Sequence, residues 1–383
     1  MPKRLPPNLS PSAFSSYHRF MSLKKTALNS VHREFGGKMV EFAGWEMPVQ
    51  YQGALKEHLA VRQSVGVFDV SHMGQIEIIG KDALVLAQKV TSNDISQLED
   101  NQAQYSAFLN PQGTFIDDIV VYRISSDHIF ICVNAANRNK NHQWLEKEKQ
   151  GNVQIQDSSD SYCLIAVQGP QSEALLQQMT EVDLSKIKYY RFAWGMLDGV
   201  HSLISRTGYT GEDGFELYIP SEKAESIWRK IFTVGKPFEV TPAGLAARNT
   251  LRLEMCYALY GNDIDNTTSP LEAGLGWIVK LDKPDFIGQN SLKKQKTKGL
   301  KRKLVGFEMI DRGIARDHYP VFIEQTCVGE VTSGSFSPSL KKSVGMAYLP
   351  IEKAEINQLF HIEIRGKKLQ AKVIEKPFFK KNK

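Results

Sequence analysis

A chain of 383 residues is longer than one ordinary core can organise, and at roughly 150 residues per domain it predicts two or three units. Its 42% apolar and 23% charged residues are those of a globular protein and exclude a fibre or a disordered chain. The net charge of +6 favours small anions or an acidic protein surface, and it falls short of the basic, aromatic-interleaved stripe of a dedicated nucleic-acid binder.

Cys132, Cys163, Cys256 and Cys327 stand far apart with no metal spacing, which reads as reduced, buried thiols and no metal site. No run approaches the roughly 18 consecutive apolar residues of a membrane-spanning helix. At the N-terminus Lys3, Arg4, Arg19, Lys24, Lys25 and Arg33 all precede the first acid, Glu34. That is the composition of an organellar transit peptide, while Met21 offers a second start. Residues 1–23 are therefore expected as an extension, either processed or a tail, and the chain as cytoplasmic in a bacterium or mitochondrial if the extension is a transit peptide.

Paired Gly, aromatics and Pro over residues 35–52 predict a strand closing into a loop, and Leu55 to Ser64 has helical spacing. Alternation from Val65 to Gly80 predicts a strand pair carrying Ser71, His72 and Met73. With no second His at metal spacing, His72 reads as a structural group. Residues 82–91 look helical, and then comes NPQGTFIDDIVVY, Asn110 to Tyr122, a turn running into a buried strand. Alternation puts Asp118, Val120 and Tyr122 on one face and Asp117, Ile119 and Val121 on the other, so only one acid enters any given cavity. A strand from His128 to Asn134 leads into a helix for which Asn134 or Asn137 is a candidate cap.

Strands and helices alternate without the period of a doubly wound sheet, which predicts an α+β fold. The bend from Gly208 to Gly214 is not a dinucleotide loop, because a strand follows it and no helix N-terminus is available for a pyrophosphate. In that strand Phe215, Leu217 and Ile219 share one face, leaving Glu216 and Tyr218 on the other. A mid-strand carboxylate among aromatics must be solvated or paired, and with Tyr209 close in sequence Glu216 reads as a binding carboxylate. PAGLAARNTLRLEMCYALYG starts helically and carries Arg248, Arg252 and Glu254, and its arginines read first as surface ion-pair partners. The lysine run from Lys293 to Lys303 reads as a solvated linker, followed by short strands typical of a small β-barrel or sandwich.

With MVEFAGWEMPVQY, GVFDVSHMG, FIDDIVVY, AVQGP, RTGYTGEDGFE, RLEMCYALYGNDID and GEVTSGSFSP in this order, the chain resembles the T-protein family of the glycine cleavage system from about Lys24 to Phe379. The resemblance implies a three-domain cloverleaf around a folate cavity, with residues 24–285 as the folate-binding region and 286–383 as the barrel. It implies transfer of a one-carbon unit from the aminomethyl-loaded lipoyl arm of H-protein to tetrahydrofolate, giving 5,10-methylenetetrahydrofolate and ammonia, with no nucleic acid, membrane or metal involved. Asp118 takes the family's acid position, Glu216 its pterin-binding glutamate and Arg248 its folate-side arginine. Tyr105, Met73, Asn134, Tyr189 and Tyr209 match positions near the pterin or its linker, and Lys380 and Lys381 are candidates for the folate glutamate tail. Asn249 and Asn266 stand where the family often has acids. Related folate-dependent demethylases and folate-binding iron–sulfur assembly factors are the alternatives, though the latter's Cys motif is missing.

Overall fold

The computed structural model describes residues 23–381. Residues 1–22 of the expected extension, Met21 among them, lie outside that range.

Two sheets face one another. One has six strands in the order Phe192–Leu197, Val200–Ser205, Gly214–Pro220, Tyr162–Gln168, Gly66–Asp69 and Thr241–Pro242, antiparallel except for the last pair. The other has five: Gln102–Leu109, Phe115–Ser125, His128–Val133, Gly74–Ile79 and Gln154–Asp157. The predicted strand pair at 65–80 is thus no hairpin. Gly66–Asp69 and Gly74–Ile79 belong to different sheets, and the Ser71-His72-Met73 link carries the chain between them. Alternation reports which side of a strand is apolar, but not which strand lies beside it.

Each sheet is apolar on both faces, for different reasons. Phe215, Leu217 and Ile219 pack outward with Ile227, Trp228 and Ile231 of the Ala224–Val234 helix. Ile119 and Val121 pack outward with Leu86 and Leu145 of the Ala83–Val90 and Arg138–Glu148 helices. The inward faces meet in a third cluster, where Tyr122 and Phe130 of one sheet touch Tyr218 of the other edge to face, with ring centroids 5.6 and 5.2 Å apart. The layers therefore run helix, sheet, sheet, helix.

The Leu245–Glu254 helix closes one end of the gap between the sheets. It can approach because Gly244 has no side chain: a Cβ there would stand 2.5 Å from the Val49 carbonyl. The Gly244 N–H donates to buried Glu57, whose other oxygen accepts three backbone N–H groups from Tyr51, Gln52 and Gly53.

Beyond it six antiparallel strands close into a barrel, Arg302–Met309 pairing on both sides to shut it. The lysine run before the barrel is a helix rather than a linker, Gln289–Lys298. Leu292 and Gln289 are buried, and Ser291 Oγ donates to the Pro111 carbonyl at 2.8 Å, so the helix is anchored on one side, part of it against the turn before Asp117. Cys132 and Cys163 are buried as expected, whereas Cys256 is half-buried and Cys327 exposed on the barrel. Among the described residues no helix is long and apolar enough to cross a membrane.

Candidate active site

Between the two sheets, the Leu245–Glu254 helix and the chain's tail lies a cavity of about 580 Å³. Met73, Tyr105, Asp118, Asn134, Tyr189, Tyr209, Glu216 and Arg248, drawn from seven separate stretches by the sequence reading, all line it.

Asp118 points into the cavity and Asp117 away from it, as alternation requires. Asp118 Oδ2 accepts from the Tyr105 hydroxyl at 2.8 Å and Oδ1 from Asn134 Nδ2 at 2.7 Å. Burial raises its pKa against the pull of these donors and of Arg248. Asp117 is buried among Asn134, Asn137 and Asn141, and its carboxyl is pushed up to about 7, first by burial and then by the charge of Asp118. The candidate caps thus serve another purpose. Asn137 stands at the N-cap of the Arg138–Glu148 helix, but its amide, like that of Asn134, donates to Asp117 instead of to the helix.

Across the cavity, Glu216 Oε2 accepts from Thr207 Oγ1 at 2.5 Å, and burial raises its pKa. Thr207 is held by Gln168, whose Nε2 donates to the Thr207 carbonyl at 3.1 Å, an approach that Gly208 permits because a Cβ there would come within 2.0 Å of Gln168 Oε1. Among the described residues Arg248 has no carboxylate within ion-pair distance; its guanidinium lies 4.5 Å from the Tyr209 ring centroid. Arg252, one turn on, is buried and bound at 2.7 Å to Asp263, so neither arginine is the surface ion-pair partner first read. Tyr189 and Trp277 are 61% and 58% exposed, which makes them an aromatic rim.

Lys380 is not part of the lining. It is exposed and pairs with Glu375 at 2.9 Å, while Lys381 reaches Glu212 at 2.7 Å. The tail's cation at the cavity is Lys376, whose Nζ donates to the Leu304 carbonyl at 3.0 Å. The sequence reading missed it, along with Thr207 and Trp277; the T-G-Y turn beside Glu216 was the one available signal for Thr207. His72 is buried and absent from the lining, with burial pulling its pKa down to about 4. Cys256 does line the cavity, but burial pushes its thiol up to about 12, so it is no ready nucleophile or metal ligand.

Residues 28–283 match the family described as GCVT N-terminal domain and residues 302–380 the glycine cleavage T-protein C-terminal barrel domain. The chain belongs to the glycine cleavage T-protein family. It is 49% identical over 360 residues to an aminomethyltransferase of Desulfitobacterium hafniense, covering 94% of this chain and 99% of that one. An aminomethyltransferase of Flavobacterium psychrophilum is also 49% identical, over 94% of this chain and 100% of its own. The crystal structure of glycine cleavage system aminomethyltransferase T from Bartonella henselae superposes with a TM-score of 0.88 at 34% identity, over 94% and 98% of the two chains. The family fold and its aminomethyltransferase activity therefore extend over nearly the whole chain, ahead of the demethylase and iron–sulfur alternatives.

The structure gives each of the two asparagines expected as departures a local role. Asn249 Oδ1 accepts from Arg252 Nε and Nη2 at 2.9 and 2.7 Å, so a neutral amide stands opposite an arginine whose charge Asp263 already balances. Asn266 contributes its backbone carbonyl, which accepts from Thr114 Oγ1 at 2.7 Å.

Proposed function

We propose that the cavity binds tetrahydrofolate, with the pterin edge on Glu216 and the reacting nitrogens beside Asp118, and that the one-carbon unit arrives on the lipoyl arm of H-protein. What supports the reading is the pairing of two carboxylates across one aromatic cavity: Glu216 with only one oxygen engaged by Thr207, and Asp118 clamped by Tyr105 and Asn134.

Tetrahydrofolate supplies the nitrogen nucleophile that takes the one-carbon group as ammonia leaves, giving 5,10-methylenetetrahydrofolate and the dihydrolipoyl arm. The chain's residues bind and orient. Glu216 accepts the parallel N–H donors of a pterin edge, which no neutral side chain does as strongly. Tyr105, Tyr189, Tyr209 and Trp277 cover ring faces, and Arg248 meets the anionic end of the molecule. Asp118, its lone pairs partly filled by Tyr105 and Asn134, keeps acceptor capacity for a nitrogen-bound proton and carries charge that favours a cationic carbon. The two-part division at residue 285 goes with this reading, since the pterin side of the cavity comes from before it and the mouth takes Lys376 and Pro377 from after it. We take the cytoplasm as the compartment, in line with the bacterial relatives.

The test is single-turnover formation of methylenetetrahydrofolate from tetrahydrofolate and aminomethyl-loaded H-protein. Asp118→Asn binds folate as wild type does but transfers on the order of 10²-fold more slowly. Undiminished transfer by Asp118→Asn removes that acid from the reaction, and folate binding without transfer by wild type removes H-protein as the donor.

A further inference from the structure

We propose that Asp117, the acid turned away from the cavity, is a positioning residue for the transfer and acts on Asp118 through Asn134. The proposal rests on the reading of Asp118 given above.

Asp117 is 0% exposed and no substrate reaches it, yet three asparagine side chains are committed to it. Its Oδ1 accepts from Asn134 Nδ2 at 2.9 Å and Asn137 Nδ2 at 2.6 Å; its Oδ2 accepts from the Asn134 backbone N–H at 3.1 Å and Asn141 Nδ2 at 2.5 Å. One of these donors is shared. Asn134 Nδ2 also reaches Asp118 Oδ1 at 2.7 Å and the Asp118 carbonyl at 3.1 Å. The amide that fixes the cavity-facing acid is thus itself fixed, through backbone and side chain together, by the acid behind it. Without Asp117 the Asn134 amide keeps its two contacts to Asp118, loses the one that holds it from behind, and gains freedom to turn.

The second effect is charge. Burial and the Asp118 charge push Asp117 up to about 7, so Asp118 ionises first and Asp117 turns anionic only as pH rises through about 7, where its charge makes Asp118 a stronger proton acceptor. Facing Asp118 are Tyr105 from the adjoining strand, Arg248 from the Leu245–Glu254 helix, and Tyr209. Facing Asp117 are Lys140 from the Arg138–Glu148 helix, Tyr260 and Cys132. Lys140 Nζ is engaged by the Ile116 carbonyl at 2.6 Å and the Tyr260 hydroxyl at 3.0 Å, and among the described residues neither acid is in an ion pair. Each therefore feels the other's charge with no counter-ion in contact.

The experiment is the pH profile of single-turnover transfer for wild type, Asp117→Asn, Asn137→Ala and Asp118→Asn, with tetrahydrofolate affinity from tryptophan fluorescence and thermal unfolding alongside. Asp117→Asn is expected to lower the plateau rate about tenfold or more, leave folate affinity within about threefold, and abolish the inflection near pH 7 that wild type owes to ionisation of Asp117 beside Asp118. Asn137→Ala, which touches Asp117 and not Asp118, weakens the Asp117 anion and moves that inflection to higher pH; it carries the test if Asp117→Asn does not fold. A lower melting temperature with the inflection unmoved in every variant that folds overturns the proposal and leaves Asp117 a structural acid. If Asp118→Asn keeps wild-type turnover and profile, the reading of Asp118 itself fails; loss in Asp118→Asn with no shift in the others defeats only the inference.

Discussion

Glu216 shows at the residue scale how binding strains a fold. Its carboxylate stands mid-strand in a largely aromatic wall, and burial raises its pKa above the unfolded value near 4.3. The folded state therefore holds the proton more tightly than the unfolded chain, and this group's support of the fold declines as pH rises through the folded value. Glu216→Gln removes that cost, while its amide oxygen still accepts from Thr207. Thermal unfolding at pH 8 should accordingly show a melting temperature no lower than wild type, with the difference shrinking toward pH 5. Tetrahydrofolate affinity should fall by about 1.5–3 kcal/mol, the usual worth of a hydrogen bond to a charged group. Loss of stability together with affinity would mean that Glu216 is a structural acid.

One element, the Leu245–Glu254 helix, carries both site and scaffold. Arg248 faces the cavity, while Glu254 accepts from Arg62 at 2.8 Å, Ser337 at 2.5 Å and the Ser339 hydroxyl at 2.8 Å. Burial alone would push the Glu254 carboxyl up, but hydrogen bonds and charge from His58, Ser337 and Arg62 outweigh it and hold it at about 2. A depressed value means that the stabilisation is complete above the ordinary carboxylate range and is lost as pH falls through about 2. Glu254→Ala leaves Arg62 with Glu212 alone, and its urea midpoint should drop by the equivalent of about 3 kcal/mol, with less extra sensitivity to acid than wild type. The lysine helix has one buried apolar anchor, Leu292, beside the polar contacts of Gln289 and Ser291. Leu292 is 1% exposed, and Leu292→Ala should cost about 3 kcal/mol in the same assay, while charge removal at Lys293 or Lys294 should cost less than about 0.5.

For the whole molecule, the barrel and the two-sheet body share polar contacts that neither can satisfy alone. Arg252 binds Asp263 and the Ser333 hydroxyl, and Thr332 Oγ1 donates to Asp263 at 2.6 Å, so separating the barrel would expose or orphan a buried ion pair. Wild type should therefore unfold in urea as one transition by both fluorescence and circular dichroism, and two resolved transitions would show the barrel to be independent. Because the proposed ligand site joins both sheets, the helix and the tail, tetrahydrofolate at 100 times its dissociation constant should add about 2.7 kcal/mol to that single transition. Glu216→Gln at the same concentration should gain far less.

The side-chain period of two along each strand was legible in the chain itself, and it assigned Asp118 and Glu216 to the faces where the structure finds them. Helix existence was equally local, as at Ala54–Gln63 and Ala83–Val90. Motifs in order carried the family, and through it the convergence of distant residues on one cavity. What periodicity does not encode is the identity of a partner far along the chain. Only tertiary structure sent the strands around Ser71 to Met73 into different sheets, turned the Asn134 and Asn137 amides from helix capping to Asp117, buried Arg252 against Asp263, and brought Lys376 instead of Lys380 to the cavity. Each outcome depends on which polar groups lose water together, and that is decided by packing across the whole chain.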